Sequence, residues 1–490
     1  MRSRVLLLNP PSSWYRPNPS KVIPTNLVAL ASFLFRHGIQ SRILDLSNLV
    51  DRDNEWCGDK VDRHLGYGFG CEKPDGLEAG DCWPEFRRRL QWVADEEDIE
   101  TVGVAFNWTD MRRQSLKACQ MVREIIPDAK IIIGGEHASC FPERYKAMDC
   151  VDEVVVGQGE HQLLAYVTGD ETWKSRPVKF SEMPMPMNWL LDDFQSYLPL
   201  IDGYRDGWYT WQNLPAGQLR SINLSGARGC PYTCGFCSTA FFYGNKVYMR
   251  SGEHIAMEME YYHREYGVNY FRIDDDTFAL NNRRIAEFAD AVKRRKLHIG
   301  YECQTRVDKI NDEVIRNLKE SGCASLGLGI ESGDEYVRTE KIGKGLKIRQ
   351  RDIVANLRKL TDGGIPFSLY FIVGYFGETD ASIANTVDLV SAVGPQYVSP
   401  VRMEIRPGTP AWGEAKVSYG ATNDLWFDTD CPIYNSSASF RLAPFSDTQL
   451  REWMFRIRRS WVETMTTERR DQMAPTIKAV EDYYNVRLAA

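Results

Sequence analysis

The residues best placed to do chemistry are three cysteines, Cys230, Cys234 and Cys237, in Gly226-Ala-Arg-Gly-Cys230-Pro-Tyr-Thr-Cys234-Gly-Phe-Cys237-Ser. Thiolates spaced four and three residues apart can wrap one face of an iron–sulfur cluster, and cysteine is the usual ligand of such clusters. The stretch holds no fourth cysteine. A structural zinc site or a ferredoxin cluster needs four protein ligands, so three would leave one iron open to a substrate or cofactor. Zinc with a distant fourth ligand, or coincidence, is the blander alternative. Gly226, Gly229 and Gly235 let the backbone curl around the sulfurs with no Cβ in the way.

These residues need elements to position them. The triplet follows directly on Ser221–Ser225, the first of six apolar or β-branched runs expected as strands. The others are Tyr270–Ile273, Gly300–Gln304, Ser325–Ile330, Ser368–Val373 and Tyr397–Ile405, with helical stretches between them. Strands alternating with helices predict a parallel sheet. Six units cannot close an eight-stranded barrel, so a partial (β/α)6 TIM barrel is expected over residues 218–415, with its sites at the strand C-termini.

A second alternating series precedes it. Val5–Leu8, Arg42–Leu46, Thr101–Phe106, Lys130–Ile133 and Glu153–Val156 read as strands, and Asn26–Arg36, Arg112–Ile125 and His161–Tyr166 as helices. This predicts an α/β, doubly wound Rossmann-like domain over residues 1–170, which binds ligands beyond the carboxyl ends of its strands. Residues 51 to 100 hold fifteen acids against seven bases and break the pattern. They read as an acidic insertion spanning about 50–98. A Pro- and Trp-rich linker is expected over 171–217. Residues 416–490 should be helical, with Asp447–Tyr484 packing across the barrel as a cap.

Bulk composition narrows the function classes. The 490 residues suit two or three domains, and 43% hydrophobic with 26% charged residues is ordinary for a globular chain. A net charge of −7 leaves no basic excess to neutralise phosphates, so nucleic acid is not expected as a partner. No apolar run reaches the ~18 residues of a membrane helix, so no membrane partner is expected. The short apolar stretch after Met1 is too brief for a signal peptide. A cytoplasmic location follows as an expectation, with the twelve cysteines as thiols or metal ligands. Beyond the triplet, idle thiols are expected, or an auxiliary metal site at Cys57, Cys71 and Cys82.

Cys-x3-Cys-x2-Cys after a first barrel strand, with Phe236 before the last cysteine, resembles the radical S-adenosylmethionine (SAM) superfamily. The resemblance implies a [4Fe–4S] cluster on Cys230, Cys234 and Cys237 whose open iron chelates SAM. Phe236 would then lie against the adenine. Phe271-Arg-Ile-Asp-Asp275-Asp-Thr-Phe278 resembles the family's acidic turn after the second strand. Thr305-Arg306-Val-Asp308 resembles the turn whose arginine reaches the SAM carboxylate, where a fixed fork suits bidentate pairing. Gly327-Leu-Gly-Ile-Glu331-Ser332-Gly333 resembles the segment that holds the SAM ribose and amine. Taken singly, an Asp-Asp or Glu-Ser-Gly is more often a solvated turn or a helix cap.

Ile131-Ile-Ile-Gly134-Gly135-Glu-His-Ala-Ser139, with Val154-Val-Val-Gly157-Gln-Gly-Glu160, resembles the cobalamin-binding domain fused ahead of many radical SAM enzymes. Gly134 and Gly135 would let the backbone approach a tetrapyrrole closely. There is no Asp-x-His-x-x-Gly, so no histidine is placed below the cobalt. Trp108 could cover that face or simply fill the cleft, and His137 reads as a structural hydrogen-bonder. The resemblance implies cobalamin-dependent C-methylation of a small molecule in a natural-product pathway, with an electron donor such as flavodoxin or ferredoxin. The alternative is a cobalamin-free radical dehydratase acting on an aminoglycoside-like diol, its N-terminal domain only structural. A non-catalytic cobalamin or iron–sulfur sensor is a third reading.

Overall fold

Parallel strands covered by helices on both faces read as unbroken apolar runs, and Val5–Leu8 and Ile131–Ile133 are buried accordingly. The structure is a computed structural model. It describes residues 4–11, 23–47, 82–107, 111–176, 184–191, 194–198, 218–345, 349–428, 433–434, 445–474, 477–478 and 480–481. The first domain runs β1 (Val5–Asn9), α1 (Thr25–Arg36), β2 (Ser41–Asp45), α2 (Cys82–Glu96), β3 (Thr101–Ala105), α3 (Arg112–Ile125), β4 (Lys130–Gly134), α4 (Glu136–Cys140), α5 (Pro142–Lys146), β5 (Glu153–Val155) and α6 (Glu160–Thr168). Its strands are all parallel, in the order β2-β1-β3-β4-β5. Strand order therefore reverses between β1 and β3, which creates a crevice at their carboxyl ends.

One expectation changes here. Residues 48–81 lie outside the described set, but Cys82–Glu96, assigned from sequence to the acidic insertion, is the helix α2 that crosses from β2 to β3. Its buried residues Trp83, Phe86, Leu90 and Val93 recur at helical spacing, and the acidic and basic residues occupy the other face. In the linker, Met187–Leu191 packs on the first domain. The Ser32 hydroxyl accepts from Met187 N, and Leu191 bridges to Ile43 on β2.

The second domain comprises β6 (Ser221–Leu224), β7 (Ala227–Arg228), α7 (Thr239–Tyr243), β8 (Tyr248–Met249), α8 (Gly252–Tyr266), β9 (Tyr270–Ile273), α9 (Asn282–Arg294), β10 (Gly300–Thr305), α10 (Asp312–Glu320), β11 (Cys323–Glu331), α11 (Gln350–Asp362), β12 (Phe367–Val373), α12 (Asp380–Val393) and β13 (Tyr397–Arg402). The strands β6, β9, β10, β11, β12 and β13 are parallel, and each lies beside the next in sequence. That is the topology of an open, partial barrel. The helices start at side-chain caps: Ser251, Asn281, Asn311 and Thr379 each accept from a backbone N–H of the first turn. The pair β7–β8 is a separate antiparallel ribbon at the barrel mouth.

After β14 (Glu404–Ile405), α13 (Pro410–Tyr419) and α14 (Asn423–Asp428) lead back to the first domain. Phe427 packs on His137, Phe141 and Tyr145 there, and Arg144 pairs with Asp424. The long helix α15 (Asp447–Glu463), expected as a cap across the barrel, instead packs against α12 and the edge strand β13. Trp453 Nε1 donates to Asp380 and Trp461 Nε1 to the Pro395 carbonyl, which anchors its apolar face. Among the described residues, no helix is long and apolar enough to cross a membrane.

Candidate active site

The loop that carries the three cysteines leaves β7 and returns through β8, so the ribbon fixes both its ends. Gly229 has φ +84°, and a Cβ there would lie 2.2 Å from the Lys246 carbonyl, so only glycine fits. At the loop's centre Gly235 N donates to the Ile342 carbonyl (2.7 Å), and Ala411 N donates to the Gly235 carbonyl (2.9 Å). A Cβ at Gly235 would lie 2.1 Å from the Tyr375 hydroxyl. The loop is thus clamped between the segments that follow β11 and β14.

Cys234 is buried, and Cys230 and Cys237 are half-buried. Burial raises all three thiol pKa values, Cys234 to about 11, and Lys344 and Arg306 pull Cys234 the other way. The Cys237 thiol lies near enough to those of Cys230 and Cys234 for their charges to interact. Among the described residues, no three His, Cys, Asp or Glu side chains converge tightly enough to share one metal ion. Three soft thiol donors sharing one rigid loop suit the broader face of a four-iron cluster. Binding would displace the thiol protons, because the ligand is the thiolate.

The sequence-predicted SAM residues fall into two groups. Phe236 is half-buried against the core beside the cysteines. Glu331 lies at the C-terminal end of β11 with φ +68°, a conformation unusual for a residue with a side chain. Its carboxylate accepts from Lys344 Nζ at 2.7 Å, and both side chains are buried. Arg306 also lies at the mouth, but its fork is occupied: Nε and Nη2 pair with Asp308, Nη2 reaches the Gly345 carbonyl, and the guanidinium stacks 3.6 Å over Tyr232.

Two residues face inward, away from any ligand. Ser332 is buried, its hydroxyl accepting from Asp334 N and its carbonyl from Arg338. Asp275 accepts from Gly226 N and Ala227 N and pairs with Arg284 at 2.9 Å, both side chains almost fully buried. It braces the approach to the cysteine loop and is not open to a cofactor. Strand parity is the signal that separates it from its neighbours, since Ile273 and Asp275 point inward while Asp274 and Asp276 are exposed. Asn223 donates to Asp274 and Thr239 to Asp276. Although both residues are open to solvent on one side, protein crowds their carboxyl groups, and that desolvation raises both pKa values, as it does for Glu136 on α4, which bonds Ser238.

Beyond this cluster of acids a cavity of about 310 Å³ fills the crevice at the strand-order reversal of the first domain. Leu7, Gly103 and Ile132 form its floor, and Gly134, Gly135 and Gly157–Glu160 its wall. Its far side is Arg228, Ser238, Thr239, Phe242 and Tyr243, which flank the cysteine loop. Gly135, at φ +122°, would put a Cβ 2.6 Å from the Phe106 carbonyl, so the turn needs glycine. Phe106 is buried edge-on against Tyr145, while Trp108 lies outside the described residues. His137 is buried, bonded through Nδ1 to the Tyr145 hydroxyl and stacked on Phe427, as a structural hydrogen-bonder should be.

Sequence reasoning passed over Lys344 and the β7–β8 ribbon. The flanking glycines Gly343 and Gly345, with φ +65° and +56°, were the available signal for a specially shaped turn at Lys344. Of the other cysteines, Cys82, Cys119, Cys140, Cys150, Cys303 and Cys323 are free thiols. Burial pushes Cys140 up to about 12, which makes it inert. Cys57, Cys71 and Cys431 lie outside the described residues.

Residues 224–390 match the family model of the radical SAM superfamily. The chain carries a radical SAM domain. An uncharacterized methyltransferase of Pyrococcus horikoshii is 27% identical over 343 residues, covering 67% of this chain and 71% of its own. The cytidylyl-2-hydroxyethylphosphonate methyltransferase of Streptomyces wedmorensis is 25% identical over 426 residues, covering 76% and 72%. Among solved structures, the cobalamin-dependent SAM radical enzyme OxsB, with aqua-cobalamin and SAM bound, superposes with TM-score 0.67 at 14% identity over 98% of this chain and 71% of its own. The radical SAM methyltransferase TsrM of Kitasatospora setae gives 0.59 at 17% identity, covering 84% and 77%. These likenesses extend the shared fold across both domains of this chain.

Proposed function

We propose that this radical SAM protein is a cobalamin-dependent methyltransferase that adds a methyl group to carbon in a polar small molecule of a natural-product pathway. One observation carries the reading: a single cavity runs from the glycine turns of β4 and β5 to the residues flanking the cysteine loop. A cofactor seated in the first domain would face the cluster directly. The methyltransferase relatives, and the cobalamin bound in a similarly folded structure, support the same reading.

Bound here, the cluster with SAM supplies hydrogen abstraction by one-electron chemistry, and cobalamin supplies a transferable methyl group. The chain's own residues hold and orient. Cys230, Cys234 and Cys237 ligate the cluster, and Gly134 and Gly135 admit a bulky ring. Phe242 and Tyr243 keep water from the cavity. Glu136, Asp274 and Asp276 offer carboxylates to the amine or hydroxyl groups of a substrate. The enzyme works in the cytoplasm with a flavodoxin or ferredoxin as electron donor.

The test is anaerobic reconstitution with iron, sulfide and hydroxocobalamin. About four irons per chain are expected, lost when Cys230, Cys234 and Cys237 are all changed to Ala. The visible spectrum should show corrinoid retained through desalting, and labelled methyl from SAM should reach product. Protein that cleaves SAM but retains no corrinoid would be a cobalamin-free radical enzyme instead.

A further inference from the structure

The cysteine loop has two faces, and one of them is open to the outside. Ser238, Thr239, Phe242 and Tyr243, just after Cys237, line the cavity that continues into the first domain. That inner face is closed to another protein, because Arg228 there pairs with Glu160 of the first domain. On the outer face Pro231 and Thr233 are exposed, with Tyr232 half-buried between them. The residues that join Cys230 to Cys234 are thus themselves molecular surface.

Two lysines flank this exposed tip. Lys309 Nζ lies 5.9 Å from the Tyr232 ring centroid, which Arg306 also covers. On the other flank, a Cβ at Gly343 would meet the Thr233 carbonyl at 3.9 Å, and Ile342 accepts from Gly235 N, so this segment holds Lys341 beside the loop. The stem of Lys341 packs over Gly377, and its ammonium lies 5.6 Å from the ring of the exposed Tyr336. Arg306 and Lys344 are neutralised by Asp308 and Glu331. Lys309 and Lys341 form no ion pair among the described residues, and each rests on an aromatic ring instead.

The chain as a whole is acidic, with a net charge of −7. Two unpaired cations at the loop therefore reverse the local charge, and a field of this kind steers an anionic partner to one place. Surface tyrosines beside them suit the centre of a small protein contact. Glu340, exposed one residue before Lys341, works against this field.

We propose that Pro231, Tyr232, Thr233, Lys309, Tyr336 and Lys341 form the docking surface for the protein that reduces the cluster, a small acidic redox protein. This rests on the reading that the three cysteines hold a cluster fed by such a donor, and it adds where the donor binds. One electron moves and no bond is made or broken: the donor is oxidised by one electron and the cluster is reduced by one. A small, charge-steered contact suits a donor that must leave after delivery.

The experiment measures reduction of cluster-loaded protein by anaerobic stopped-flow absorbance, with reduced flavodoxin or with photoreduced deazaflavin, a small uncharged reductant. Binding of oxidised flavodoxin is measured in parallel by calorimetry. Wild type, Lys309→Glu/Lys341→Glu and Glu340→Gln are compared, with iron content and Tm checked for each. The double variant should bind flavodoxin more weakly and accept its electron at least about tenfold more slowly at low salt, while deazaflavin reduces it within about twofold of wild type. Added salt should slow wild type and hardly affect the double variant. Glu340→Gln should quicken reduction by flavodoxin. Unchanged binding and reduction by flavodoxin in the double variant would overturn the docking surface. Equal slowing with deazaflavin would overturn it too, because the cluster itself would then be altered. Wild-type protein that deazaflavin reduces but that neither binds nor accepts electrons from flavodoxin or ferredoxin would remove the reading of the donor, and the docking surface with it.

Discussion

Glu160 and Arg228 form an ion pair across the boundary between the two domains, with side-chain exposures of only 3% and 14%. Glu160 opens α6 of the first domain, and Arg228 stands two residues before Cys230. Desolvation would raise the Glu160 carboxyl, but Arg228 outweighs it and the pKa falls below the usual glutamate range. Its contribution is therefore complete above the unfolded value and is lost as pH falls through the lower folded one.

Breaking this pair on one side leaves the other charge buried, at a cost of about 3–5 kcal/mol. Glu160→Gln and Arg228→Met should each lower Tm and release iron from the reconstituted protein faster. The double variant should recover part of the loss. Thermal unfolding and timed iron release provide the readouts, and strictly additive losses would show that the two residues do not act as a pair.

Asp275 and Asp276 are adjacent but should respond differently. Asp275→Asn removes the charge that Arg284 faces in the core, so about 3–5 kcal/mol of stability should disappear and the cysteine loop should lose its brace. Asp276→Asn, on the open face, should leave Tm within about a degree and raise KM for the substrate. Thermal melts paired with initial rates separate the two, and equal destabilisation would contradict the strand parity.

Gly134 can accept a side chain without strain, since a Cβ there would meet Val155 at an ordinary 3.5 Å. Gly134→Val should therefore fold, fill part of the cavity and abolish corrinoid retention after desalting. Iron content and SAM cleavage should stay near wild type. A variant that still holds a full equivalent of corrinoid would place that cofactor elsewhere.

Burial raises the Glu378 carboxyl to about 8, against stabilising hydrogen bonds from Gly374 N and Tyr375 N. The folded state keeps this acid protonated while the unfolded chain ionises near the ordinary glutamate value. Stability is thus fully present below the unfolded pKa and drains away as pH rises through about 8. Glu378→Gln, neutral at every pH, should raise Tm by a few degrees at pH 8 and make little difference near pH 4.5. Melts across that range test the sign directly.

Much of this was legible in the sequence because buried parallel strands advertise themselves. The runs Val5–Leu8, Lys130–Ile133 and Ser368–Val373 became strands nearly as expected, since helices cover both faces and leave no polar alternation to confuse them. Helix α2 was obscured because the surrounding charge excess masks an apolar stripe of Trp83, Phe86, Leu90 and Val93. Composition could not separate Asp275 from its neighbours, whereas alternation counted from Ile273 could. Lys344 was invisible because an isolated lysine in a loop is ordinarily solvated, and its burial depends on Glu331 and Gly329, thirteen and fifteen residues upstream in the chain. The clamp of α14 on His137 joins residues nearly three hundred positions apart, and no local pattern announces it.

Gly235, bonded on one side to Ile342 and on the other to Ala411, has a consequence for the order of assembly. Classical zinc fingers are unfolded until the metal arrives, because the metal supplies the folding energy. Here backbone hydrogen bonds from two distant parts of the barrel shape the loop, so the polypeptide acts as a mould finished before it is filled. A cluster should therefore be deliverable late, to an already folded chain, and its removal should leave the barrel standing.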